Sequence, residues 1–215
     1  MRLGTYYRYI IVHAIKLPLT GRKILDIGGY DGFLLSTING ERKTLIDISP
    51  HNQYSNIQYI KNDFLAFDFK DDRFDLICAF DVIEHIQQDN DFLEKITNLL
   101  APGGIALLST PSEKIRIFPF VLQSWVDKKW GHIYRRGYSK LKLHEMVAKI
   151  HSQKQLNLEI VEWNAPCFRF FYFPLWILWY FAESFTKKIL NRMILHEASV
   201  QNGDNGFLFL ILKKE

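Results

Sequence analysis

Apolar positions along the chain fall into two kinds of run, one at helical spacing and one short and mostly consecutive. Over residues 5–17, Tyr6, Tyr7, Ile10, Ile11, Ala14 and Ile15 recur at helical spacing, and Pro18 stops the run. Short, mostly apolar stretches at 23–27, 44–48, 57–60, 74–80 and 105–109 read as strands. The stretch 74–80 is apolar enough to be buried on both faces. Between them, 33–38 predicts a short helix, and 89–100 predicts a longer one carrying Phe92, Ile96, Leu99 and Leu100 on one side. Pro102-Gly103-Gly104 is the expected stop for that helix. Ser139 is placed to cap a further helix bearing Leu143, Met146, Val147 and Ile150. Residues 158–162 and 206–212 add two more strands. Strands alternating with helices predict an α/β chain built on a mostly parallel sheet with helices on both faces. No repeat or low-complexity linker divides it, so residues 1–215 read as a single domain.

Composition narrows the class little. The chain is 48% hydrophobic and 23% charged, a balance suited to a globular core rather than disorder. A formal charge of +4 is too small for its length to argue for nucleic acid, and none is expected as a partner, although it suits an anionic ligand or a membrane surface. Cys78 and Cys167 form no Cys-x-x-Cys pair and read as reduced packing residues of a cytoplasmic protein. His13 and Lys16 interrupt the first apolar stretch, and no small-residue cleavage site follows it, so no secretory signal is read there.

The chemistry begins at the end of the first strand, where Asp26-Ile27-Gly28-Gly29-Tyr30-Asp31-Gly32 opens a helix. Glycine lets a backbone approach a ligand closely, and free N–H groups at a helix start favour a carboxylate or phosphate. Asp26, two positions before the first glycine, is placed to meet a cationic amino group. Asp47 ends the next strand about 20 residues on, where a ribose-diol acceptor is expected. A ligand with an amino acid at one end and a ribose at the other suits both. Each aspartate also has a simpler reading, Asp47 as a turn cap before Pro50 and Asp63 as a surface turn residue.

The order Asp-x-Gly-x-x-x-Gly at 26–32, Asp47, Asn62-Asp63, Phe74 to Ile77, Asp81-Val82-Ile83-Glu84-His85-Ile86 and Leu100 to Gly104 resembles the class I S-adenosylmethionine-dependent methyltransferases. It is most similar to the group holding ubiquinone-biosynthesis O-methyltransferases and many sugar and lipid methyltransferases. The resemblance covers residues 20–112 strongly. It implies a Rossmann-like domain whose mostly parallel, seven-stranded sheet ends in an antiparallel strand. It implies S-adenosylmethionine as cofactor, with Asp26, Gly28, Gly29, Tyr30 and Gly32 at the methionine end, Asp47 on the ribose and Ile48 against the adenine. Asp63 would accept from the adenine amino group, flanked by Asn62 and Phe64, and Phe80 and Asp81 would close the pocket near the methyl group. Tyr30 departs from the family, which usually has glycine there, so its side chain must point away from the methionine moiety.

The Glu84-His85 pair follows the fourth strand, at the mouth of the crevice where such sheets bind ligands. Methyl transfer needs alignment, exclusion of water and, for a hydroxyl acceptor, removal of a proton. His85 is the candidate general base, with Glu84 beside it. The competing reading has Glu84 capping the next helix and His85 packed on the sheet. Asp81, Glu84 and His85, with His132 or His144, are also of the type that holds a divalent metal. Plant small-RNA 2′-O-methyltransferases have a Glu-x-x-Glu-His metal site at this place; here Asp81 stands first, and no metal is expected.

Residues 20–112 are expected to form the cofactor-binding core, preceded by an N-terminal helix within 1–19. Residues 113–138 are expected to form a lid carrying acceptor contacts. An aromatic insertion at 163–195 precedes the last strand. From Phe170 to Ala182 no residue is charged, but the run is short of the roughly 20 residues that span a bilayer, and Pro174 is expected to interrupt it. Aromatic residues followed by Lys187, Lys188 and Arg192 suit peripheral membrane contact through 167–188 or a pocket for a lipid or lipid-linked sugar. Burial in a homodimer interface is the alternative. The function implied is O-methylation of a small-molecule, lipid or lipid-linked acceptor; the alternatives are a catalytically inactive adaptor of the same fold and a nucleotide-dependent oxidoreductase. The latter is disfavoured because Tyr30 breaks its Gly-x-Gly-x-x-Gly spacing.

Overall fold

The computed structural model describes residues 2–151, 155–199 and 205–215; Met1, 152–154 and 200–204, parts of the span 1–215, lie outside the described residues. Seven strands form one sheet: β1 (Lys23–Ile27), β2 (Arg42–Asp47), β3 (Gln58–Lys61), β4 (Phe74–Phe80), β5 (Leu100–Pro111), β6 (Leu156–Asn164) and β7 (Gly206–Lys214). Their order is β3-β2-β1-β4-β5-β7-β6, with β7 antiparallel to both its neighbours and the other pairings parallel. This is the sheet that the motif order implied. The central strands are buried almost throughout, which is why they read as mostly apolar runs.

The helices are α1 (Leu3–Ala14), α2 (Phe33–Thr37), α3 (Asp89–Leu99), α4 (Gln123–Trp130), α5 (Lys140–His151), α6 (Pro166–Phe181) and α7 (Glu183–Ser199). One core layer holds α3 and α5, with Phe92, Ile96, Leu143 and Met146 against Ile77, Leu108 and Leu210. The other layer joins α1, α6 and α7, with Tyr7, Ile11, Phe168, Leu190 and Ile194 packed on Phe207 and Phe209. Ser139 begins α5 as expected, its hydroxyl oxygen accepting the Lys142 N–H at 3.2 Å.

Two expectations are corrected. α3 ends at Leu99, just before Pro102-Gly103-Gly104 as expected, but these residues do not cap it, because the chain passes directly into β5 at Leu100. The register jumps from Phe74 opposite Leu100 to Leu76 opposite Ile105, so residues 101–104 loop out of a continuing strand. Pro174 does not interrupt the aromatic segment either: α6 runs through it from Pro166 to Phe181. Phe168, Tyr172 and Leu175 are buried along one side of α6, and that burial outweighs the hydrogen bond proline cannot make.

A buried carboxylate ties the second layer together. Glu197 of α7 accepts hydrogen bonds from the Tyr7 hydroxyl and, at 2.9 Å, from the Phe168 N–H, while Trp163 Nε1 lies 3.4 Å from it. The Tyr7 ring stacks on Phe168 with centroids 3.9 Å apart. These contacts hold α1 over the ends of β1 and β4, where the cavity opens.

Candidate active site

A cavity of about 730 Å³ lies at the carboxyl ends of β1 and β4. That falls within the roughly 300–1,000 Å³ usual for small-molecule sites. Its floor is the turn after β1. Gly28 has φ +73°, and a Cβ there would come within 2.6 Å of Val82 Cγ2. A Cβ on Gly29 would stand 2.1 Å from Asp26 Oδ2, so only glycine lets the turn fold back over that carboxylate. Asp31 Oδ1 accepts the Phe33 N–H at 3.0 Å and starts α2; Gly32 adjoins it with φ +73°.

Asp26 is buried beneath this turn. Burial first, then the charges of Asp47 and Asp31, push its carboxyl up to about 8. α1 supplies a cation to the same cavity. Arg8 is buried and donates to Asp81 through Nε at 2.7 Å and through Nη2. Its guanidinium carbon lies 3.6 Å from the Phe207 ring centroid, and Nη1 has no hydrogen-bond partner. Asp81 has φ +54° and is fixed from both sides, accepting from Ser109 Oγ at 2.9 Å and donating its N–H to Ser109 O at 2.9 Å.

Tyr30 adopts φ +47°, the left-handed conformation that glycine takes without strain. Its ring stacks beside His51 at 6.1 Å and under Arg2 at 4.3 Å, on the rim. Asp47 Oδ2 accepts the Tyr30 N–H at 3.2 Å and Oδ1 the Ser49 N–H at 2.7 Å, while the neighbouring Ile48 is exposed. Asp63 Oδ1 takes the N–H groups of Leu65 and Ala66 at 2.7 and 3.2 Å. Thus both outer aspartates cap turns in this structure. Phe64 is placed differently from expectation. Its ring is buried against Phe92, 5.2 Å between centroids, while Asn62 and Asp63 are exposed and, like Asp47 and Ile48, lie outside the cavity lining.

On the far wall, Ile83–His85 form a 3₁₀ turn after β4. His85 Nδ1 lies 3.0 Å from Gly131 O. A carbonyl only accepts, so in the neutral ring Nδ1 carries the proton and Nε2 is the basic nitrogen. Nε2 lies 4.0 Å from Glu84 Oε1. Glu84 is fully buried, neither of its oxygens has a hydrogen-bond partner, and burial followed by the Asp81 charge raises its pKa well above the usual carboxylate range. It lies within the 3₁₀ turn and caps no helix. His132, 5.6 Å from His85 between ring centroids, is kept neutral by burial and by His85. The ligand atoms of Glu84, His85 and His132 lie within 4.8 Å of one another, a spacing that could hold a divalent cation. Asp81, engaged by Arg8, and His144, exposed on α5, stand apart from that trio.

The remaining wall is aromatic and comes from segments whose place the sequence did not fix. Trp130, Tyr172, Trp176 and Trp179 line the cavity with Lys129. Trp130 Nε1 donates to the Tyr172 hydroxyl at 2.8 Å, joining α4 to α6. Arg8 was the clear omission. A charged residue within the apolar run of α1 was the available signal, since a buried arginine requires an acidic partner.

The model for the methyltransferase domain matches residues 5–169, most of the chain. The chain belongs to the class I S-adenosylmethionine-dependent methyltransferases. Among curated relatives, the chain is 25% identical over 132 residues to the mitochondrial ubiquinone biosynthesis O-methyltransferase of Dictyostelium discoideum, covering 51% of this chain and 41% of that one. It is 25% identical over 150 residues to the ubiquinone biosynthesis O-methyltransferase of Cereibacter sphaeroides, covering 62% and 61%. The chain thus spans less than two thirds of either relative. Among solved structures, phosphoethanolamine N-methyltransferase 2 of Haemonchus contortus, bound to S-adenosyl-L-methionine, shares the fold with TM-score 0.64 and 17% identity, over 96% of this chain and 52% of that chain. The N-methyltransferase NodS of Bradyrhizobium japonicum, bound to S-adenosylhomocysteine, has TM-score 0.55 at 17% identity, over 97% and 85%.

Proposed function

We propose that this methyltransferase moves the methyl group of S-adenosylmethionine to an oxygen of a lipid or lipid-linked acceptor. One observation carries the donor half of the reading. The cavity holds a buried acid whose pKa is raised by burial and by the charges of Asp47 and Asp31, and a buried guanidinium with a free donor. An amino-acid tail, ammonium at one end and carboxylate at the other, satisfies both. Asp26 takes the ammonium and Arg8 Nη1 takes the carboxylate. Gly28 and Gly29 leave room for the tail, and Tyr30 stays on the rim. Asp47 exchanges its turn contacts for the ribose hydroxyls, with Ile48 and the 62–64 loop beside the adenine. The donor, when bound, supplies a methyl group already activated on a sulfonium.

The chain's own groups then position the acceptor and move its proton. His85 Nε2 accepts the hydroxyl proton while Gly131 O holds the ring through Nδ1. Glu84 lies beside it, buried, and lines the same cavity. The aromatic wall of Tyr172, Trp176 and Trp179 excludes water and receives an apolar acceptor body.

The deciding experiment incubates the protein with methyl-labelled S-adenosylmethionine and separated lipid, glycan, RNA and protein fractions. Label in the lipid fraction, recovered as an acid-stable ether or an ester, is the expected result. Label in RNA, or donor binding without transfer to any fraction, would overturn the acceptor assignment.

A further inference from the structure

α6 and the turn before α4 together make an exposed apolar surface that the cavity alone does not account for. Phe118 stacks on Phe170 with centroids 4.7 Å apart, and Trp125 lies against Phe173 and Trp176 at 5.7 and 6.4 Å. Segments about fifty residues apart in sequence thus become one surface. Its two tips protrude: Val121 is 89% exposed, and at the α6–α7 corner Tyr180 and Phe181 are 84% and 80% exposed. Folding leaves such groups in water only at a cost, so a contiguous patch of them marks a contact surface.

Charge selects the partner. Residues 115–136 and 166–192 contain two acids, Asp127 and Glu183. Both are internally paired, to Arg136 at 2.5 Å and to Lys187 at 2.6 Å. Lys128, Lys188 and Arg192 add positive charge, and Lys129 Nζ sits 3.4 Å from the Trp176 ring centroid. Aromatic tips with a lysine collar are what the headgroup zone of an anionic bilayer accommodates, whereas the core of a subunit interface is depleted of lysine. No helix among the described residues is long and apolar enough to cross a membrane, so the contact would lie in one leaflet. Trp176 and Lys129 belong both to this surface and to the cavity lining.

Resting on the lipid-acceptor reading above, we propose that the Phe118–Trp125 and Phe170–Phe185 surface docks on an anionic bilayer, so that the acceptor passes from the leaflet along Trp176 into the cavity. The test is co-sedimentation with vesicles of phosphatidylcholine, with and without phosphatidylglycerol, using wild type and a Val121→Asp, Phe181→Asp double variant. Both positions are solvent-exposed, so the variant keeps the fold; S-adenosylhomocysteine should raise the Tm of both proteins equally. Wild type should sediment with the anionic vesicles and release as salt rises, and the variant should bind about tenfold or more weakly. Equal sedimentation of both proteins, or of neither, would overturn the proposal. So would a wild-type dimer of twice 25.4 kDa that the variant converts to monomer, since a second copy would then cover the surface. Vesicle binding without any response to S-adenosylhomocysteine would support docking while removing the methyltransferase reading.

Discussion

Asp26 makes donor binding depend on pH in a direction that can be calculated. Its carboxyl titrates at about 8 in the ligand-free fold, against 3.8 when unconstrained. Pairing with an ammonium requires the ionised form, which is roughly one part in a hundred at pH 6 and about one in eleven at pH 7. Affinity for S-adenosylhomocysteine, which has the same amino-acid tail, should therefore rise close to tenfold over that interval, about 1.4 kcal/mol. Nearly one proton should be released per ligand bound. The interval ends at pH 7 because the ligand's own ammonium begins to deprotonate nearer pH 8. The assay is titration calorimetry at pH 6 and 7, each in two buffers of different ionisation enthalpy. Asp26→Asn should bind more weakly at pH 7 and lose the slope. Equal affinity at both pH values, with no proton release from the wild type, would refute the assignment. The same shift bears on stability, with the opposite sign from a salt-bridged acid. Between about pH 4 and 8 the unfolded chain has lost a proton that the folded one keeps, so ligand-free stability falls as pH rises through that window.

Four further outcomes test other parts of the site. Asp47→Ala should weaken S-adenosylhomocysteine binding by about 1–3 kcal/mol, measured by calorimetry, with a small change in Tm because the Tyr30 and Ser49 N–H groups it bonds face solvent. His85→Gln should lower kcat by about a hundredfold or more while leaving donor affinity unchanged, as measured by label transfer and calorimetry. Arg8→Met should weaken donor binding and destabilise the fold by about 1–3 kcal/mol in urea titration, since Asp81 loses its cation but remains partly solvated. Transfer should persist after dialysis against a chelator; loss restored by a divalent ion would instead make Glu84, His85 and His132 a metal site.

What could be read from the sequence depended on how local each signal was. β1, β2 and β4 were visible because strands covered on both sides must be apolar at consecutive positions, and the 26–32 turn because its glycines answer to backbone geometry within a few residues. Phe64 misled because an aromatic residue beside a motif looks the same whether it faces a ligand or the core; its partners Phe69 and Phe92 settle that only in three dimensions. The Arg8–Asp81 pair spans 73 residues and leaves no spacing to detect. Pro174 was expected to break α6 on local grounds, and packing of Phe168, Tyr172 and Leu175 overrode them.

The Glu197 junction also sets an order of events during biosynthesis. Tyr7 meets Glu197 across 190 positions of chain, so the first helix gains this buried anchor only after α7 has been made. Arg8 rides on that helix. A chain made only as far as β5 has Arg8 and Asp81 but neither Glu197 nor Phe207, so its guanidinium lacks the anchor and the ring that hold it in the finished cavity.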